Sequence, residues 1–296
     1  ENKKLIQKID SGLFIFKNEL ADLINFLDYS VMKFYSKEFS AKEELYPNMI
    51  KAETLEKANH ISSFPEHLLF NFHLKEDLHN INLFSKRSKN RISSINNLAK
   101  LKFIQNPSTC FHCYSSRENQ ILKKNEVITA ITKCNRYESS NHSNTGRLIE
   151  FLLREVIFLG TSRFVQKTRD KSLEITKKIA DRWEIAGEIV SSNDPFFTSD
   201  FNIKANYQIK FNMKYEFKCN LPYEYRNISI MSSNLHGTTF SKNFNFNNKN
   251  KNIQTGCLGF GLERFALVIL SQHGININKW PKKLCTDFVK WKKYAN

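Results

Sequence analysis

Two groups of residues in this chain have the types and spacing to handle a phosphorylated substrate. The first is Arg136-x-Glu138, with Arg147 following. If the segment is a strand, Arg136 and Glu138 point to one face. A guanidinium there can hold an α-phosphate and stabilise the charge that develops as an acyl oxygen attacks it. The neighbouring carboxylate can accept a hydrogen bond from the exocyclic amine of a purine. Seen alone, an Arg-x-Glu strand is more often a surface ion pair between strands. The second group is Gly259-Phe260-Gly261-Leu262-Glu263-Arg264-Phe265. Its glycines read as a tight turn into an apolar helix. Arg264 then lies at the helix start, where the backbone already favours an anion such as a β- or γ-phosphate. No Gly-Lys-Ser or Gly-Lys-Thr follows, so this is not a Walker loop.

The cysteines are Cys110, Cys113, Cys134, Cys219, Cys257 and Cys285, too few for a disulfide scaffold at this length. Reduced thiols are expected, some of them as metal ligands. Cys110-x-x-Cys113 has the spacing of half a zinc ribbon, but no second Cys-x-x-Cys exists to complete it. Cys134, directly before Asn135-Arg136, reads as a strand cysteine. Cys219 and Cys285 read as small core or surface residues.

These groups need a scaffold. Residues 127–132 are β-branched and read as a strand. Residues 139–146 are turn formers, and 148–160 read as an apolar return strand, giving an antiparallel hairpin. Phe14, Phe16, Leu20, Leu23, Ile24 and Leu27 predict an amphipathic helix after Gly12. Pro47 interrupts any helix around it, and a short helix is expected near 53–60. Ile175, Ile179, Trp183 and Ala186 mark the buried face of a helix over 165–187, with Gly187 as its C-terminal cap. Residues 207–218 and 226–232 alternate as strands, 240–253 read as an Asn/Lys loop, and Leu284, Phe288 and Trp291 mark a last helix. Strands and helices mix without strict βαβ alternation, which predicts an α+β fold with a mainly antiparallel sheet flanked by helices.

The 296 residues suffice for a single domain over 1–296, with a variable Lys/Asn-rich surface insertion around 75–105. The 25 Phe allow a sizeable core. The net charge of +16 points to an anionic partner such as ATP, RNA or an acidic protein, although Lys and Asn abound along the whole chain. No apolar run approaches the roughly 20 residues of a membrane span, and the start does not read as a signal peptide. The chain begins at Glu1 rather than Met, read as a trimmed start. A cytoplasmic enzyme without a membrane partner is expected.

A strand with Arg-x-Glu, a long loop, a return strand and a later Gly-x-Gly-x-x-Arg helix together resemble motifs 2 and 3 of class II aminoacyl-tRNA synthetases. Residues 45–70, with Pro47 and a helix, fall where motif 1, the dimer-forming element, would lie. Further segments sharpen the likeness: Tyr46-Pro47-Asn48, Ser63-Phe64-Pro65, Cys110-Phe111-His112-Cys113-Tyr114, Asn193-Asp194-Pro195-Phe196-Phe197, and Ser233-Asn234-x-His236 with Phe240. In order along the chain, these resemble the amino acid:carrier protein ligases, truncated homologues of archaeal-type zinc-dependent seryl-tRNA synthetases.

The resemblance implies one zinc ion per subunit, held by Cys110, Glu155 and Cys257, with a fourth position open to the substrate's amine. It implies ATP with Mg2+, bound through Arg136, Glu138, Arg147, Leu148, Glu216, Met231, Ser232, Ser233, Asn234 and Arg264, with Arg136 and Arg264 catalytic. Asn135 departs from the family, which usually has an aromatic residue before the motif 2 arginine. The implied reaction is activation of a small amino acid, glycine- or alanine-like, as its adenylate. Transfer follows to the phosphopantetheine thiol of an acidic carrier protein, by a homodimeric enzyme. No added tRNA-binding module is visible, so tRNA is not the expected partner. A tRNA-charging or tRNA-binding paralogue and a catalytically inactive regulatory paralogue remain the alternatives.

Overall fold

The computed structural model describes residues 5–87, 97–137, 146–194, 212–249 and 251–295. Leu20, Leu23, Ile24, Leu27 and Val31 recur at helical spacing and form the buried stripe of α1 (Glu19–Phe39). Phe14 and Phe16, expected on the same helix, belong instead to a hairpin of Ile6–Asp10 with Leu13–Phe16. Ser11-Gly12 is the two-residue turn that joins those strands, and two apolar positions two apart fit a strand as well as a helix.

Seven strands make the main sheet: β1 (Lys42–Leu45), β2 (Glu126–Asn135), β3 (Glu150–Gly160), β4 (Gly187–Ser191), β5 (Lys214–Leu221), β6 (Arg226–Gly237) and β7 (Gln254–Gly261). Their spatial order is β1-β2-β3-β7-β6-β5-β4. Only β1 and β2 run parallel; every other pair is antiparallel. This is the mixed, mainly antiparallel sheet expected of an α+β fold. The expected hairpin is β2–β3, in register from Glu126 opposite Leu159 to Asn135 opposite Glu150.

One face of the sheet is covered by α1, α3 (Ser162–Arg182), α4 (Leu262–His273) and α5 (Lys282–Ala295). Phe26, Trp183, Phe265, Leu284 and Phe288 interlock there. Burying each such side chain contributes about 1.5–3 kcal/mol. On the same face Arg154 forks onto both oxygens of Asp28 on α1, at 2.6 and 2.8 Å, and reaches Glu43 on β1 at 3.0 Å. The other face carries the short helix α2 (Cys110–Ser115). Around it a second core gathers Ile50, Leu55, Ile104, Tyr114, Phe244 and Phe246 against Ile128, Ile157 and Leu159. That core covers the sheet over β2, β3 and β7.

Several expected elements are placed differently. The helix α3 ends at Arg182, with Glu184 in the left-handed region, so Gly187 is not its cap. Gly187 opens β4, where an added Cβ would lie 2.7 Å from the Lys218 carbonyl oxygen. Gly256, Gly259 and Gly261 form no turn; they lie in β7, at the middle of the sheet. Residues 240–253 are not a plain loop but hold the helical turn Thr239–Asn243 and a small hairpin. Within 75–105, helix Leu78–Arg87 is present, while Phe103–Gln105 is the central strand of a three-stranded sheet with Ile104 fully buried. Of 207–218, the part before 212 lies outside the described residues. Among the described residues no helix is long and apolar enough to cross a membrane.

Candidate metal centre and nucleotide cavity

Register brings the functional side chains together. Asn234 lies opposite Cys257, and Ser232 opposite Gly259. Gly259 in turn faces Glu155 across β3. On the other side Lys214 opposes Asn234, and Glu216 opposes Ser232. Directly opposed residues share a face. Two rows therefore cross the sheet: Lys214, Asn234, Cys257, and Glu216, Ser232, Gly259, Glu155. The first residue of α2 adds Cys110 from above. One ligand atom each from Cys110, Glu155 and Cys257 all lie within 4.8 Å of one another, and all three residues are buried. The expected ligand triad is thus one cluster drawn from three distant stretches of chain.

The donor set suits a metal ion. Glu155 Oε1 accepts from the Ser108 hydroxyl at 2.8 Å, while buried Oε2 has no hydrogen-bond partner. The hydrogen bond between Cys110 and Cys257, together with burial, pushes the Cys110 thiol well above its usual range. Burial also raises the Glu155 carboxyl. In Cys257 the bond with Cys110 works downward, but burial and the nearby Glu155 prevail and the thiol ends raised. Three acidic groups crowded into a dry space each have their protonated form favoured, and a bound cation would compete for the same sites. Two sulfurs and one carboxylate fit zinc among the common metals.

Polar groups surround the cluster. Asn234 Nδ2 stands 3.9 Å from Cys257 Sγ, and His236 Nε2 stands 3.8 Å from it. Burial lowers His236 to about 4, against the upward pull of Glu155 and Asp194. The Lys214 ammonium is buried, 2.5 Å from Asp194 and 3.2 Å from Glu216. Burial works against its charge, but the two carboxylates outweigh it and hold it above the usual lysine range.

Next to these rows opens a cavity of about 630 Å3. Arg147, Arg264, Glu216, Lys218, Arg226 and Ser229 are among its lining residues. Arg264 Nε donates to the Gly146 carbonyl at 2.7 Å, which ties α4 to the chain entering β3. Leu148 is half-buried beside Arg147, off the cavity wall. Arg136 lies just past β2, on the face that carries Glu155, and is not on that wall. Its Nε donates to the Pro107 carbonyl at 2.8 Å and its guanidinium stands 5.5 Å from the Phe151 ring. It acts on Glu155, drawing the carboxyl downward. Glu138 lies outside the described residues.

Two of the expected site residues have their side chains on the other face of the strand. The pleat sends Met231 and Ser233 to the opposite face from Ser232 and Asn234. Met231 joins the helix-side core, opposite Phe260, and Ser233 is fully buried opposite Leu258 with an unpartnered hydroxyl. Reading residues 231–234 as one lining strand overlooked this alternation. Four neighbours were not singled out as site residues: Ser108, Asp194, Lys214 and His236. The spacing Asn234-x-His236 was a usable signal for the last. Lys214-x-Glu216 was the same kind of signal.

No protein-family model matches the chain. It is similar to the type-2 serine–tRNA ligase of Methanocaldococcus jannaschii, at 25% identity over 283 residues, which is 91% of this chain and 54% of that protein. It is similar to amino acid–acyl-carrier-protein ligase 1 of Bradyrhizobium diazoefficiens, at 26% identity over 242 residues, or 81% of this chain and 74% of that one. Among solved structures it matches the M. kandleri SerRS, crystallised in complex with A. aeolicus tRNASec. The TM-score is 0.85 at 20% identity, over 97% of this chain and 58% of that one. The chain spans about half the length of the serine–tRNA ligases it matches.

Proposed function

We propose, for a chain homologous to type-2 serine–tRNA ligases and to an amino acid–acyl-carrier-protein ligase and built on the class II aminoacyl-tRNA synthetase fold, that it is an AMP-forming ligase loading a small amino acid onto a carrier protein. One observation carries this reading: the sheet row Glu216, Ser232, Gly259, Glu155 runs from the cavity that Arg147, Glu216 and Arg264 line to the cluster Cys110, Glu155, Cys257. The three ligands would hold zinc, which when bound supplies a fourth position for the substrate's amine.

Positioning does most of the chemistry. The amino acid carboxylate is already a nucleophile, so no general base is required. It attacks the α-phosphorus of ATP; the bond to the β-phosphate oxygen breaks and pyrophosphate leaves with the electron pair. Arg136 stabilises the charge at the α-phosphate, and Arg264 that of the departing pyrophosphate. Glu216 would hold Mg2+, Glu138 would meet the purine amine, and Arg147 would contact the nucleotide. Ser232 and Asn234 line the floor between nucleotide and amino acid. In the second step the phosphopantetheine thiol attacks the acyl carbon. A C–S bond forms, AMP departs with the acyl oxygen, and the thiol proton passes to solvent. An acidic carrier protein suits a chain of net charge +16. The working form is a homodimer, with the segment around residues 45–70 at its interface.

A second reading is tRNA charging, favoured by the serine–tRNA ligase relatives. ATP–pyrophosphate exchange over a panel of amino acids tests the first step, and the activated enzyme is then offered phosphopantetheinylated carrier protein or bulk tRNA. Small-amino-acid exchange followed by thioester formation supports the proposal. Transfer to tRNA alone replaces it with the second reading, and absence of exchange with any amino acid removes both.

A further inference from the structure

Strand β6 carries a bulge at His236. Leu235 pairs with Gly256 and Gly237 with Thr255, so His236 is the extra residue between them. A bulge of this kind re-aims a side chain. Here the ring meets Cys257, with Nε2 3.8 Å from Sγ. Its other nitrogen, Nδ1, lies 3.2 Å from the Thr255 hydroxyl and 3.3 Å from the Tyr114 hydroxyl. Phe240 packs against the ring at 4.9 Å between centroids, nearly edge to face. Asn234 Nδ2 approaches the same sulfur at 3.9 Å. Cys110 is surrounded differently: its sulfur meets the Ser108 hydroxyl at 3.6 Å, and that hydroxyl also serves Glu155.

We propose that His236 is a positioning residue for the metal centre, donating Nε2–H to the Cys257 thiolate and thereby fixing that sulfur's orientation and donor strength. The inference rests on Cys110, Glu155 and Cys257 being metal ligands. A metal-bound cysteine carries no S–H, so the contact is favourable only when Nε2 holds the ring proton. Nδ1 must then accept, and the two hydroxyl groups beside it can both donate. Thr255 and Tyr114 therefore accommodate the tautomer that the thiolate selects, and the bulge specifies the direction. The two sulfurs become unequal: Cys257 receives two N–H donors, while Cys110 shares one hydroxyl with Glu155. A sulfur that gives less electron density leaves the centre more acidic toward an incoming amine.

The test uses the metals alone. Zinc affinity is measured by competition with a chromophoric chelator for the wild-type chain and for His236→Gln, His236→Asn and His236→Phe. The sulfur-to-metal charge-transfer band is recorded after loading with Co2+. A glutamine amide nitrogen reaches about as far as Nε2, whereas that of asparagine stops near Nδ1. The Phe and Asn variants are expected to bind zinc about 10- to 100-fold more weakly, with the band moved to longer wavelength. The Gln variant is expected within about threefold of wild type, with the band in place. Gln behaving like Phe, or all three variants binding like wild type, overturns the proposal. A wild-type chain that binds neither zinc nor cobalt overturns the metal-centre reading instead. Gln and Asn differ little in size and polarity, so a gap between them reports donor position rather than folding; urea unfolding of the metal-free chains checks this.

Discussion

Two glycines of β7 should respond in opposite ways to the same added methyl group. At Gly256 a Cβ would lie 2.2 Å from Phe158 Cε2 and 2.9 Å from the Asn234 carbonyl oxygen. Phe158 is fully buried and cannot swing aside. Gly256→Ala is therefore an overpacking change, expected to cost about 1–3 kcal/mol. At about 2.1 cal/mol/K of unfolding entropy per residue, a chain of 296 residues then loses roughly 2–5 °C in Tm. At Gly259 the nearest atoms are Leu153 Cδ1 at 3.4 Å, Glu155 Cγ at 3.5 Å and Glu155 Oε1 at 3.6 Å, ordinary contact distances. Gly259→Ala should stay within about 1 kcal/mol of wild type, since reduced freedom in the unfolded chain offsets small strain. Its methyl nevertheless stands between Glu155 and Ser232, where the proposed function puts the amino acid. The KM for the amino acid should rise about tenfold, equivalent to about 1.4 kcal/mol, with a smaller change in the KM for ATP. Urea unfolding of both variants and exchange kinetics of Gly259→Ala read these effects. Equal stability losses in the two variants, or unchanged amino acid affinity in Gly259→Ala, would refute the picture of β7 as the tight floor of the site.

Four further outcomes follow from the same structure. Glu263 accepts from Leu152 N–H with both oxygens, and burial lifts its carboxyl from 4.5 to about 7. Its contribution favours folding below 4.5 and is lost as pH rises through 7. At 1.36 kcal/mol per unit the loss is at most about 3 kcal/mol, and Glu263→Gln should flatten the stability profile between pH 4.5 and 8. Arg154→Met leaves Asp28 without its fork on the helix side of the sheet and should cost about 3–5 kcal/mol in urea unfolding. Ser233→Ala removes a buried hydroxyl that has no partner, so the variant should be at least as stable as wild type with unaltered exchange kinetics. Arg136→Ala and Arg264→Ala should each lower kcat for exchange by about 100- to 1,000-fold while leaving zinc content intact.

The hairpin β2–β3 and the terminal helix were legible because runs of β-branched or helically spaced apolar residues bury one face each. The three candidate ligands followed from a resemblance, and nothing in their spacing would have joined Cys110, Glu155 and Cys257; the register of β3 against β7 brings the last two together, and the packing of α2 on the sheet adds Cys110. The glycines of 256–261 misled because a strand at the middle of a sheet can need a glycine as much as a turn does, as at Gly256 against Phe158. Residues 231–234 were read together as a lining strand, without the pleat that sends Met231 and Ser233 to the other face. His236 lay in a quoted segment without a role: its spacing from Asn234 was a signal, but the bulge that aims its ring cannot be read from one strand's sequence. Lys214 and Asp194 form their pair across the gap between β5 and the end of β4, a long-range contact that local pattern does not encode.

Zinc K-edge X-ray absorption on the purified chain reads the centre most directly. Two sulfurs at about 2.3 Å with lighter donors completing the shell is the expected result, one ion per chain, lost together in Cys110→Ser and Cys257→Ser. A shell of four sulfurs, a shell without sulfur, or a chain that retains no zinc would contradict it.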